Sequence, residues 1–181
     1  MSAAPLLAVE DLRTEFATRH GVVRAVDGVS LEVMAGECLG IVGESGSGKS
    51  VTFASVLGLV RSPGRIVAGR VVFAGRDLRL LGTAALRRVR GREIAMTMQD
   101  ALTALNPAFT VATQIGETLA AHDADGDGRD RAARRRRAIE LMDLVGIPDA
   151  ARRLDDYPHQ FSGGMRQRVM IAMALACSIS C

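Results

Sequence analysis

A chain of 181 residues with 48% hydrophobic content and a formal net charge of +3 holds enough apolar material for one domain or one and a half, which excludes a disordered chain. It shows no apolar run near the roughly 20 residues of a membrane span, and its start, MSAAPLLAVED, lacks the basic residues and long apolar stretch of a secretion signal, so a cytosolic protein is expected. One Tyr, no Trp and no interleaving of aromatic with basic residues argue against a nucleic-acid partner, and the three cysteines, with no CxxC spacing, are expected to be core or end residues.

In chain order, alternating stretches predict strands over Leu6 to Phe16 and Ala25 to Val33, with a hairpin-like turn at Arg19-His20-Gly21. A β-branched apolar run, Leu39 to Val42, predicts a buried strand that carries Cys38 at its start. It leads into Gly43-Glu44-Ser45-Gly46-Ser47-Gly48-Lys49-Ser50 and then a helix beginning near Lys49 and running through Val51 to Val60. After the Pro63-Gly64 turn, Gly69 to Phe73 is a third strand of the same small antiparallel sheet. Thr83 to Arg90 reads as a short helix, and Glu93 to Met98 as a short buried strand ending at Gln99.

From Val111 the period changes to that of helices: Val111 to Ala121, Arg131 to Val145 ended by Gly146-Ile147-Pro148, a short piece over Ala150 to Leu154, and Gly164 to Ala176, apolar on most of its surface. Between the first two lies Asp123-Ala124-Asp125-Gly126-Asp127-Gly128. It begins like a calcium loop but has Arg134 where the bidentate Glu belongs, so a polar linker is expected. Arg134 to Arg137, with Glu140 and Asp143 within a turn, reads as a solvated helix face.

The loop over 43–50 carries the first chemistry. Backbone N–H groups converge on a polyphosphate only if the chain curls tightly, and Gly43, Gly46 and Gly48 are expected to permit this by adopting positive φ. The helix N-terminus behind the loop adds free N–H groups, Val51 included, and the positive end of a dipole. Lys49, the only lysine in the chain, supplies a compact charge for the far phosphates, and the Ser50 hydroxyl is placed to ligate Mg²⁺. Strand, glycine loop and helix in this order form a phosphate-binding loop in its confirming context. A second signal is Ser162-Gly163-Gly164 opening a long helix, an anion site by the same physics. One ATP needs two such nests only if two chains face each other. Gln99, at a strand's carboxyl edge, is a weaker candidate for a contact to Mg²⁺ or to a water beside the γ-phosphate.

The stretches GESGSGKS, QDALTALNP and YPHQFSGGMRQRVMIAMALA, in that order, resemble the nucleotide-binding subunit of ABC transporters, and more narrowly the importers of the dipeptide, oligopeptide and nickel group. The likeness covers residues 6 to 176. It implies an α/β fold: a P-loop NTPase core of the ABC type with an N-terminal antiparallel β subdomain, a helical subdomain and an incomplete central sheet. One partial domain would span 1–181, with the β subdomain and phosphate loop in 1–100, the helical subdomain in 101–163 and a helix returning to the core in 164–181. ATP and Mg²⁺ are the implied cofactors. Ser162, Gly163, Gly164 and Met165 match the signature segment, which in the family clamps the γ-phosphate of ATP held by the partner subunit's loop. Gln99 falls on the glutamine-loop position, and Phe16 is the candidate to stack on adenine, a packed strand Phe being the alternative. Ala101 stands where a proline is common.

The implied partners are a second ATPase subunit, identical or paralogous, transmembrane permease subunits docking near Gln99 to Thr118 and, indirectly, an extracytoplasmic solute-binding protein. The implied place is the cytoplasmic face of the membrane. In the family a strand ending in Asp-Glu and a later switch histidine follow the helix that closes near Cys177, whereas here Ser178-Ile179-Ser180-Cys181 ends the chain and His20, His122 and His159 lie upstream. Two functional expectations result: an ATP-binding subunit energising uptake of peptides or similar solutes, or a catalytically inactive fragment that at most binds nucleotide. With half a central sheet, the isolated chain is expected to be poorly stable.

Overall fold

The computed structural model describes residues 4–98, 104–122 and 130–176. Contacts divide the chain into two compact units, Met1–Leu86 and Arg87–Cys181.

In the first unit, β1 (Leu7–Thr18), β2 (Gly21–Val33), β3 (Gly64–Phe73) and the two-residue β4 (Arg76–Asp77) form an antiparallel sheet in the order β2-β1-β3-β4. β1 is central: Val9 faces Leu31 of β2 and Val71 of β3. A strict alternation from Val9 would bury positions 11 and 13, yet the buried residues are Leu12 and Thr14. The extra residue is absorbed at Asp11, where φ is +43° and the register shifts against both neighbours, so the bulge returns the apolar side chains to one face. Val26 of β2 is buried as well, as are Val56, Leu57 and Leu78 outside the sheet. The other face carries cross-strand ion pairs such as Arg70 with Glu10 (3.2 Å) and Arg24 with Glu15 (3.5 Å).

Helix α1 (Lys49–Val56) lies against the buried face. Its tie to the sheet is a hydroxyl pair: Thr14 Oγ1 and Ser55 Oγ are 2.8 Å apart and both buried. Ser55 donates its proton to the Val51 carbonyl at 2.6 Å, so the proton between the hydroxyls belongs to Thr14.

Two predicted strands do not form. Leu39 to Val42 makes no ladder, and these residues lie on the surface, Val42 at 98% exposure and Leu39 at 42%. A strand needs a neighbour's backbone groups, and no described residues flank this run as a partner strand. Cys38 is accordingly exposed rather than a core residue. Residues 93–98 likewise form only an isolated bridge from Ile94 to Arg90, and Met98 is exposed.

Helix α2 (Thr83–Val89) runs across the division after Leu86, and the second unit continues as helices α3 (Val111–His122), α4 (Arg131–Leu144), α5 (Ala150–Arg153) and α6 (Gly163–Leu175). Its core joins Val111, Ile115 and Leu119 of α3, four residues apart, to Ala138, Leu141 and Met142 of α4 and Val169, Met170 and Ala172 of α6. Helix α6 is less enclosed than its composition predicts, since Ile171 is 40% exposed. Asp130 caps α4 by accepting from the Ala133 N–H at 2.6 Å. The arginine run is solvated as expected: Arg137 pairs with Glu140 at 3.0 Å, while Arg135 forms a two-pronged pair with Asp155 at 2.7 and 2.6 Å, a partner its own helix does not disclose. Gln99, Ala101, the 123–128 linker, Cys177 and the last residues to Cys181 lie outside the described residues.

Candidate functional site

The phosphate loop is a tight curl closed on itself. The Ser47 N–H donates to the Glu44 carbonyl at 3.2 Å, and the Lys49 ammonium donates to the carbonyls of Gly43 (2.5 Å) and Glu44 (2.7 Å) and to Ser47 Oγ (3.1 Å). All three ammonium protons therefore point into the concavity of the loop. Glu44, Ser45, Gly46 and Ser50 are exposed around it.

The glycines serve different ends. Gly48, the N-cap of α1, has φ +93°, and a Cβ there would overlap the Ala25 carbonyl oxygen, so both conformation and space require glycine. Gly46 has φ +85° with open space beside it. Gly43 departs from expectation: it is not left-handed, and a Cβ there would lie 2.7 Å from Ser47 Oγ, a hydroxyl that would have to shift from its place as an acceptor for Lys49. No side chain caps α1, and no acidic residue stands in its first turn. The helix end thus leaves N–H donors and dipole facing the loop beside a fixed cation, a donor set that suits a polyphosphate.

Phe16 is half-buried near the end of β1. Its ring edge packs over Gly64, where a Cβ would meet Phe16 Cε1 at 2.5 Å and Val60 Cγ1 at 2.7 Å.

In the second unit Ser162 caps α6, accepting from the Met165 N–H at 3.3 Å. Ser162, Gly163 and Gly164 are exposed and Met165 is half-buried against the helical core. Neither Gly163 nor Gly164 has positive φ, and a Cβ on either would meet nothing within 4 Å. Among the described residues nothing calls for glycine at these positions, and glycine in a helix costs up to about 1 kcal/mol against alanine. α6 also has no acidic residue in its first turn.

Two supports of this turn carry no sequence motif. Gln160 Oε1 accepts from the Tyr157 N–H at 2.7 Å, and Arg166 Nε donates to the Pro158 carbonyl at 2.7 Å. The one available sign was a cation near the start of a helix, where the dipole disfavours it.

Residues 26–180, which include both glycine turns, match the family described as ABC transporter. The chain belongs to the ABC transporter family. Among relatives of this ABC transporter chain, the dipeptide transport ATP-binding protein DppD of Escherichia coli (strain K12) is 50% identical over 172 residues, covering 95% of this chain and 51% of that protein. DppD of Bacillus subtilis (strain 168) is 47% identical over 173 residues, covering 95% and 50%. The chain thus spans about half the length of the curated relatives it matches. Among solved structures, the dimeric ATP-binding cassette MJ0796 in a post-hydrolysis state, bound to ADP and Pi, superposes with a TM-score of 0.81 at 25% identity, covering 94% of this chain and 69% of that one. The fold is therefore that of an ABC cassette, α/β, with an antiparallel sheet that is not closed.

Proposed function

We propose that this chain is the ATP-binding subunit of an ABC importer that energises uptake of peptides or similar solutes. In this reading ATP is shared between the phosphate loop of one subunit and the Ser162-Gly163-Gly164 turn of another. The observation that carries it is the pair of exposed glycines at 163 and 164, for which no constraint among the described residues calls for glycine. Such glycines make sense if a ligand outside the chain approaches the backbone of α6 closely. The names of the relatives, DppD among them, support the importer assignment and a peptide-like solute, and they do not favour the inactive-fragment alternative over it.

The residues suit the cofactors. Lys49 and the amides of 46–51 would hold the phosphates, Ser50 would ligate Mg²⁺, Gln99 would contact the metal or a water, and Phe16 would lie against adenine. Mg²⁺ would supply charge neutralisation at the phosphates. The chain's own part is to orient the polyphosphate by the backbone donors of the loop and of the start of α1, with Lys49 exchanging acceptors in its own loop for phosphate oxygens. The partners follow from the same reading: a second ATPase subunit, identical or paralogous, and permease subunits at the cytoplasmic face of the membrane. No helix among the described residues is long and apolar enough to cross a membrane.

Complementation tests the shared site. With a non-hydrolysable ATP analogue, Lys49→Ala and Ser162→Arg should each abolish nucleotide-driven pairing of chains in sedimentation velocity. Mixing the two should restore pairing, since one composite site is then intact. A Ser162→Arg chain that pairs like the unsubstituted one would refute the reading.

A further inference from the structure

The turn before α6 is strapped by a residue inside the helix. Arg166 sits four residues into α6, near the positive end of its dipole, where a cation is disfavoured and a carboxylate would be the usual choice. Its guanidinium folds back instead of extending into solvent: Nε donates to the Pro158 carbonyl at 2.7 Å and Nη2 to the His159 carbonyl at 3.4 Å. These two carbonyls belong to the 3₁₀ turn Pro158–Gln160. The next residues are Phe161, buried at 3% exposure, and Ser162, the cap of α6. One planar fork therefore spans the turn on which Ser162-Gly163-Gly164 is carried, with the Gln160 to Tyr157 bond closing the same turn from the other side.

We infer that Arg166 is a positioning residue for the second anion nest: by bridging the 158 and 159 carbonyls it fixes the angle at which the 163 and 164 amides meet a partner's nucleotide. The inference rests on the shared-site reading above. A flexible entry to a helix spreads its first N–H groups over many orientations, and an anion that must order them binds more weakly. A lysine is not equivalent to the strap, because its ammonium is a compact charge on a flexible stem and lacks the planar fork that holds two carbonyls in one geometry. The residue touches no ligand in this scheme; it acts through the backbone of the turn.

The test uses Arg166→Gln and Arg166→Lys in the 181-residue chain, with the non-hydrolysable ATP analogue and Ser162→Arg alongside. Both Arg166 variants should weaken nucleotide-driven pairing about tenfold or more, speed hydrogen exchange of the 160–165 amides, and leave nucleotide affinity of the single chain and the circular dichroism spectrum unchanged. If Arg166→Gln weakens pairing but Arg166→Lys does not, the positive field and not the strap is responsible, and the inference falls. It falls also if both variants pair normally while Ser162→Arg does not, with the shared site left standing, or if lost pairing comes with lost circular dichroism. If the unsubstituted chain fails to pair, or Ser162→Arg pairs freely, the shared-site reading fails and takes this inference with it.

Discussion

Lys49 holds three bonds within its own loop, at 2.5, 2.7 and 3.1 Å, all of them exposed to solvent and none of them part of a core. Lys49→Ala should therefore leave thermal stability within about 0.5 kcal/mol, as exposed substitutions do. It should weaken nucleotide binding roughly ten- to hundredfold, the loss expected for one charge-assisted bond of about 1.5–3 kcal/mol, read by titration with a fluorescent nucleotide. Gly48→Ala is the contrary case, a change harmful to the fold. It meets both a left-handed backbone and the Ala25 carbonyl, and should cost about 1–3 kcal/mol in urea denaturation. Gly36→Ala, with φ +77° but open space, should cost less.

At the same scale Asp155 gives a dependence on pH. Its two-pronged pair with Arg135 holds the carboxyl below the ordinary aspartate range, the hydrogen bond outweighing partial desolvation, and the Arg135 guanidinium is raised in turn by the same bond. A carboxyl lowered on folding stabilises the protein above its unfolded pKa, near 4, and loses that contribution as pH falls through the lower folded value. Since both side chains are substantially exposed, the contribution is about 0.2–1 kcal/mol. Asp155→Asn should lower stability by that much at pH 7, less at high salt, and the gap to the unsubstituted chain should close at the acid end of a pH series.

Among elements, α1 and α6 are both helices whose N-termini are kept clear of carboxylates, but they are secured differently. α1 is fixed by the Thr14 to Ser55 hydroxyl pair. The direction of its proton makes the two halves unequal: Ser55→Ala strands the buried Thr14 hydroxyl and should cost about 1–3 kcal/mol, whereas Thr14→Val leaves Ser55 donating to Val51 and should cost less, as a pair of thermal melts would show. α6 carries glycines that the fold does not need. Gly164→Ala should leave folding stability unchanged or raise it by about 0.4–1 kcal/mol while suppressing nucleotide-driven pairing. A destabilised Gly164→Ala chain would show that the glycine serves the fold after all.

For the molecule as a whole, two separate cores form, one of sheet and α1 and one of helices, while an apolar run between β2 and the phosphate loop stays on the surface. Leu39, Ile41 and Val42 are all exposed, with backbone groups that no described strand pairs. Such an edge favours association with other chains. The isolated chain should melt below about 50 °C, at the low end for a domain, and aggregate on heating. Val42→Asp should delay that aggregation, followed by light scattering, without lowering the melting point, because a side chain 98% exposed contributes little to the folded state.

Residue order by itself determined the phosphate loop, its lysine, the serine cap of α6 and nearly every helix and hairpin, because local rules govern them: glycine where the backbone curls, a hydroxyl where a helix opens, apolar side chains every three or four residues. The bulge at Asp11, the strap from Arg166 and the Asp155 partner of Arg135 depend on which segments meet in space, and no local pattern announces that. Leu39 to Val42 has the composition of a core strand, yet composition confers only a tendency. Whether it becomes a strand is decided by a neighbouring backbone to pair with, which is a property of the tertiary structure alone.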